Sequence, residues 1–154
     1  MTLEDVTIRN ATRDDLDALV ALLSSLFSIE ADFAVDFEQQ RRGLEMMLAR
    51  PDERWVMVAE TDGRVVGMVT LQLLISTAQG GPVGFVEDMV IDENVRGMGV
   101  GRILLSAMEA RAGEAGLSRL QLLADRENEG ALRFYERAGW EETQLICRRK
   151  FPEA

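Results

Sequence analysis

The chain has 154 residues, 47% hydrophobic and 29% charged, which suits a single globular domain able to bury its own core and excludes a disordered segment. Its formal charge of −10 speaks against general nucleic-acid binding, which needs a basic footprint. The same acidity aids solubility and attracts a cationic partner such as an amine.

Histidine is absent and Cys147 is the only cysteine, so no internal disulfide and no Cys/His metal cluster can form. Any general base is therefore a carboxylate, a tyrosine or water, and no metal is expected. No stretch approaches the ~18 apolar residues of a membrane span. The opening MTLEDVTIRN lacks the basic-then-apolar pattern of a signal peptide, so a cytoplasmic protein with neither membrane nor nucleic acid as partner is the expectation.

In chain order, Val6 to Ala11 reads as a short strand. Thr12 is placed to cap a helix, with Asp14 and Asp15 in its first turn, and Leu16, Leu19, Val20, Leu22, Leu23 and Leu26 give that helix a broad apolar face. Phe27 to Phe37 breaks the period and mixes three phenylalanines with Glu30, Asp32 and Asp36. It reads either as a loop touching a cationic substrate or as one whose aromatics close over the core. A second helix runs from Glu38 to Ala49, with Met46 and Met47 as adaptable core, and Pro51 marks its stop. Trp55 to Glu60 and Arg64 to Ile75 are strands joined by Thr61-Asp62-Gly63, a hairpin signal. Gly80-Gly81-Pro82 ends the next connector.

A fourth strand, Val83 to Ile91, leads through an acidic turn into Arg96-Gly97-Met98-Gly99-Val100-Gly101 and then a helix. Val100, Ile103, Leu104, Ala107 and Met108 supply the helical spacing. A strand entering a helix through glycines gathers free N–H groups and the positive end of the helix dipole at one point, a ready site for phosphate oxygens. Glycine keeps Cβ atoms out of the way and makes φ > 0 cheap. A P-loop would need Lys-Ser or Lys-Thr where Arg102-Ile103 stands. A dinucleotide fingerprint would need its third glycine one residue later than Gly101.

Gly116 ends that helix, and Arg119 to Ala124 reads as a fifth strand. A last helix follows from Asn128, with Ala131, Phe134, Tyr135 and Ala138 near one face and Gly139 as its stop. Trp140 to Glu142 and Leu145 to Arg149 read as a terminal strand or pair, with Cys147 as a core residue and the alternating edge up to Phe151 offering pairing across a homodimer. The pattern is mixed α/β in one domain, residues 1–154, with hairpins first and crossovers after.

The R-x-x-G-x-G spacing of Arg96, Gly99 and Gly101 resembles the coenzyme A pyrophosphate loop of the GNAT N-acetyltransferase superfamily. Asn128 to Trp140 is similar to that family's later signature, N-x-x-A-x-x-F-Y-x-x-x-G-F, with tryptophan in place of the last phenylalanine. The resemblance implies a GNAT-like, mostly antiparallel mixed sheet of six or seven strands, splayed between the fourth and fifth and flanked by four helices. It implies acetyl-CoA as co-substrate, its arm held by main-chain groups of Met89 and Ile91. The amides from Arg96 through Gly97, Met98, Gly99 and Val100 to Gly101, with Arg102 at the helix start, would hold its pyrophosphate. Asn128 matches the family's cofactor-contacting asparagine, although a helix cap explains it equally.

Acetyl transfer to an amine needs a base for the ammonium, a donor for the developing oxyanion and an acid for the departing thiolate. Glu87 and Asp88 are anomalous charges within a strand, and strict alternation sends them to opposite faces, so one of them enters the cleft. Glu87 is the first choice of base and Asp88 the second, with salt bridging or solvation as the plain alternative. The oxyanion donor would be an N–H near Met89 or Val90. Tyr135, the only tyrosine, falls on the family's general-acid position, although a packing role on its helix face is the other reading. The expected activity is N-acetyl transfer by direct attack in a ternary complex onto a primary amine of a small molecule or peptide. The alternative is a non-catalytic acetyl-CoA sensor.

Overall fold

Strands form where apolar residues alternate between glycine-marked turns, and five such runs share one sheet in the order β1-β2-β3-β4-β5. The computed structural model describes residues 1–29 and 34–154, as two units, Met1–Leu122 and Leu123–Ala154. The first unit runs β1 (Thr7–Asn10), α1 (Leu16–Phe27), α2 (Phe37–Leu48), β2 (Arg54–Thr61), β3 (Arg64–Ser76), β4 (Gly81–Ile91), α3 (Val100–Glu114) and β5 (Leu120–Leu122). The second carries α4 (Glu129–Arg137). Pairings from β1 to β4 are antiparallel, and β4 with β5 is parallel.

The β2–β3 hairpin closes through Asp62 and Gly63 at φ 51° and 72°, the doubly left-handed turn that Asp-Gly favours. Leu16, Leu19, Val20, Leu22 and Leu23 of α1 and Leu44 of α2 bury against Val56, Val58, Met68 and Val90 on one sheet face. α3 buries Val100, Leu104, Leu105, Met108 and Ala112. A Cβ on Gly67 would meet Leu104 Cδ2 at 3.5 Å, so that helix covers the opposite face. Arg111 anchors it, stacking 4.2 Å above the Trp55 ring and donating to Asn10 Oδ1 at 2.6 Å. Gly84 is required where β4 meets β5, because a Cβ there would lie 2.7 Å from Leu120 Cδ2 and 2.9 Å from Leu71 Cδ1.

Among the described residues the four expected helices are present, but the sheet has five strands rather than six or seven. Trp140 to Glu142 and Leu145 to Arg149 form no strand, and Leu145 and Ile146 are 78% and 68% exposed. The alternation there is too weak: two apolar residues adjoin, then Arg148, Arg149 and Lys150 run together, so neither face is apolar enough to bury. Cys147 is correspondingly an exposed free thiol and not a core residue. Of the acidic residues expected to attract a cation, Glu30 and Asp32 lie outside the described residues. Asp36 caps α2, accepting from the Gln39 N–H at 3.0 Å. No helix among the described residues is long and apolar enough to cross a membrane.

One ionic cluster ties the start of the chain to the sheet. Arg9 on β1 grips Asp15 through two bonds of 2.8 and 2.9 Å and reaches Glu60 on β2 at 2.6 Å. The guanidinium holds the Asp15 carboxyl below its usual range, helped by the Thr12 N–H at 2.7 Å. Asp15 therefore stabilises the fold above the ordinary carboxylate value of ~3.9, and that contribution fades as pH falls further through its lowered folded value. Asp15→Asn is expected to cost about 2 kcal/mol in urea unfolding at pH 7, with the difference from the parent shrinking in acid below that value.

Candidate active site

The fourth strand changes character at its midpoint. Its pairing with β5 covers only Gly84↔Leu120, Phe85↔Gln121 and Val86↔Leu122. From Glu87 to Ile91 β4 continues along β3 alone, with no β5 residue in register. At the same place the β3–β4 register slips: Thr70 faces Glu87, yet Met68 faces Val90, so three steps on β4 answer two on β3. The result is a β-bulge, and Asp88 within it sits at φ 52°. A non-glycine residue in the left-handed region costs on the order of 1 kcal/mol and persists only where surrounding contacts enforce it.

The bulge corrects the expectation of strict alternation. Glu87 pairs with Thr70 and Val90 with Met68, so both belong to the sheet face covered by α1. Asp88 is not on the opposite face, since its carboxylate meets Thr70 Oγ1 at 3.3 Å. The two acidic side chains thus share a neighbourhood. Glu87 is open to solvent by area, yet enough protein surrounds its carboxyl for desolvation to push it above the usual range. No positive partner offsets that shift, which is the condition a carboxylate base needs.

Beyond Ile91 the chain turns through Asp92, whose carboxylate accepts from the Asn94 N–H at 2.9 Å, and enters the glycine segment. Arg96 turns back, its Nε donating to the Ile91 carbonyl oxygen at 2.9 Å, so the side chain braces the turn onto the end of β4. Gly97 and Gly99 take φ of 77° and 90°. Gly99 is the N-cap of α3, which therefore has no side-chain cap, and the first turn contains no acidic residue. A Cβ on Gly97 would meet nothing within 4 Å. The uncapped helix start and the exposed Arg102 lie together there, and the helix dipole makes that end favourable to negative charge. Gly99 has a second role, because a Cβ there would lie 3.1 Å from Leu3 Cδ1 of the N-terminal 3-10 turn. Nothing in the sequence pattern foretold that contact.

The other two expected residues lie on α4 of the second unit. Asn128 caps the helix, its Oδ1 accepting from the Ala131 N–H at 3.0 Å. At the other end Gly139, φ 89°, lets its N–H reach the Glu136 carbonyl at 3.0 Å while the Trp140 N–H reaches the Tyr135 carbonyl at 2.9 Å. This is the Schellman closure. It folds Trp140 back so that its ring centroid lies 6.1 Å from that of Tyr135, with Phe134 edge-on to Tyr135 at 5.2 Å. The aromatic and glycine positions of the motif thus brace one phenol. A separate open depression lined by Val20 and Ala21 of α1 and Phe37 and Arg41 of α2 contains none of the expected catalytic or cofactor-binding residues, and only Phe37 of the segment read as touching substrate.

A sequence model of the acetyltransferase (GNAT) family matches residues 16–140, which cross both units and take in both motifs. The chain belongs to that family. An uncharacterized N-acetyltransferase of Methanocaldococcus jannaschii is 30% identical over 91% of the chain, which spans 62% of that relative's length. The aminoalkylphosphonate N-acetyltransferase of Salmonella typhimurium is 29% identical over 90% of the chain and 86% of its own. Among solved structures, a possible acetyltransferase from Clostridium difficile 630 shares the fold with a TM-score of 0.86 at 18% identity, over 97% of this chain and 99% of that one.

Asp88 offers a direct check of the bulge in this acetyltransferase-family chain. Asp88→Gly and Asp88→Ala both remove the carboxylate, but only glycine accepts the left-handed backbone freely. The alanine variant is expected to be less stable than the glycine variant by about 1 kcal/mol in denaturant unfolding, the reverse of the usual order within a strand.

Proposed function

We propose that the chain transfers an acetyl group from acetyl-CoA to a primary amine of a small molecule or peptide, by direct attack within a ternary complex. The observation that carries this reading is the sequence of events along β4. The strand gives up its β5 partner after Val86, bulges at Asp88 and ends at Ile91, from which a short turn and the glycine segment lead to an α3 start that has neither a capping side chain nor an acidic first turn. A strand edge without a parallel partner suits an extended amide-bearing arm, and the adjoining helix start suits a diphosphate.

In this reading main-chain groups of Met89, Val90 and Ile91 pair with the arm. The amides from Gly97 to Gly101 take the pyrophosphate, flanked by Arg102. The co-substrate supplies an acetyl thioester, and the chain's own residues move protons around it. Glu87, its carboxyl raised by desolvation, takes the proton of the incoming ammonium, directly or through water, with Asp88 as the alternative. A main-chain N–H at the bulge meets charge developing on the carbonyl oxygen. Tyr135, at the acid position of the family pattern and held by Trp140, donates a proton to the leaving thiolate. Asn128 acts first as the cap that sets the start of its helix. The net charge of −10 favours a cationic acceptor, and the aminoalkyl group in the Salmonella relative's name favours an amine as the acetylated group.

Release of free coenzyme A across a panel of amines tests the reading, since a sensor would bind acetyl-CoA and release no thiol. Tyr135→Phe is expected to lower turnover by roughly 10²–10⁴-fold with acetyl-CoA affinity little changed, and a loss under about threefold returns the phenol to a packing role. Glu87→Gln is expected to lower turnover by about 10²-fold and to remove an acid limb lying above the ordinary carboxylate range. The raised carboxyl makes the folded chain hold its proton more tightly than the unfolded one. Ionising Glu87 therefore weakens folding as pH rises from the unfolded to the folded value, and the Gln variant should keep an equal or higher Tm at pH 7.

For the phosphate cradle, Gly101→Val is the cleaner variant, because Gly101 lies within α3 whereas Gly99 at φ 90° would be strained by any side chain. Calorimetry is expected to show acetyl-CoA binding weakened about a hundredfold or more, about 2.7 kcal/mol, with helix content unchanged. Normal affinity in the folded variant removes the cradle from the mechanism.

A further inference from the structure

We propose that Thr70, outside both sequence motifs, is a positioning residue that pins the β4 bulge in the shape acetyl transfer requires; the inference rests on the acetyltransferase reading above. Thr70 stands on β3 directly opposite Glu87 and is 2% exposed. Its neighbours Met68, Val69 and Leu71 are all fully buried apolar residues, so valine would suit the same strand position with no polar atom to satisfy. The hydroxyl is satisfied at the bulge, 3.1 Å from the Glu87 carbonyl oxygen and 3.3 Å from Asp88 Oδ2.

Both acceptors belong to the residues at which the register slips. An extra residue on β4 disrupts the ladder there, and a side chain from the facing strand takes over part of its work. The single hydroxyl proton is shared between a main-chain oxygen and a carboxylate. Holding the Glu87 carbonyl fixes the backbone that aims the Glu87 side chain. Holding the Asp88 carboxylate supports the left-handed residue at which Asp88 and Met89 drop out of register with β3, before pairing resumes at Val90 opposite Met68. Thr70 thus acts on the reaction through Glu87, Asp88 and the main chain beyond them, without touching substrate.

The test compares Thr70→Val, which keeps the shape and removes the hydroxyl, with Thr70→Ser, which keeps the hydroxyl. In the amine assay Thr70→Val is expected to lower kcat about tenfold or more while acetyl-CoA KM and Kd stay within about twofold, and Thr70→Ser is expected to recover kcat to within about threefold of the parent. In the unliganded protein, amide exchange at Asp88 and Met89 is expected to accelerate about tenfold in Thr70→Val and not in Thr70→Ser, with the Val56 and Val58 amides unchanged. Should Thr70→Val fail to fold, Thr70→Ala takes its place against Thr70→Ser. A folded variant lacking the hydroxyl with kcat within about twofold of the parent, or with unchanged exchange at the bulge, overturns the proposal. If the parent itself releases no coenzyme A with any amine, the acetyltransferase reading falls, and the exchange comparison alone decides whether Thr70 pins the bulge.

Discussion

After Val86 the fourth strand keeps only one neighbour, and the other features of the site follow from that loss. A strand inside a sheet is held on both edges, so its residues alternate and its main chain is committed. With β5 gone from register, β4 has an edge to offer and freedom to take an extra residue at Asp88. It ends at Ile91, and a short turn carries the chain to the glycine on which α3 begins. The pairing that does exist, through Gly84, Phe85 and Val86, is as necessary as its absence further on. It fixes the root of the parallel pair, and the close approach of Leu120 and Leu71 at Gly84 leaves no room for a side chain.

The remainder of the first unit serves as support for that strand. α1 and α2 bury one sheet face and α3 the other, and Arg111 fastens α3 to Trp55 and Asn10. The Arg9, Asp15 and Glu60 cluster performs a comparable task at the far edge, joining β1, β2 and the entry to α1. Around the glycine turn, Arg96 braces one side against Ile91 and Leu3 lies close to Gly99 on another. In the second unit the phenol of Tyr135 is similarly over-determined, by the helix stop at Gly139 and by the ring of Trp140.

Glu87 and Asp88 illustrate how electrostatics and backbone geometry share one site. No cation among the described residues offsets the desolvation that raises the Glu87 carboxyl. Asp88 is tied to Thr70 instead. Two adjacent acids on one sheet face therefore differ in what acts on them, a hydroxyl of the facing strand at Asp88 and desolvation at Glu87.

Local chemistry was legible in the sequence. Helix faces, the Asp62-Gly63 hairpin, the glycine turn opening α3, the Asn128 cap and the Gly139 stop all depend on residues within a few positions of one another, and they stand where the pattern put them, apart from Met46, which is exposed on α2 and not core. The family motifs were legible for the same reason, each lying within a single turn or helix. The length of β5, the lack of strands after Trp140 and the exposure of Cys147 were not, because a strand exists only through a partner elsewhere in the chain. The bulge belongs to this second class. Nothing in the order Val86-Glu87-Asp88-Met89-Val90 states that Thr70 will face the second residue and Met68 the fifth. That register, and with it the shared neighbourhood of the two acids, was decided by packing across the sheet, where distant side chains compete for the same face.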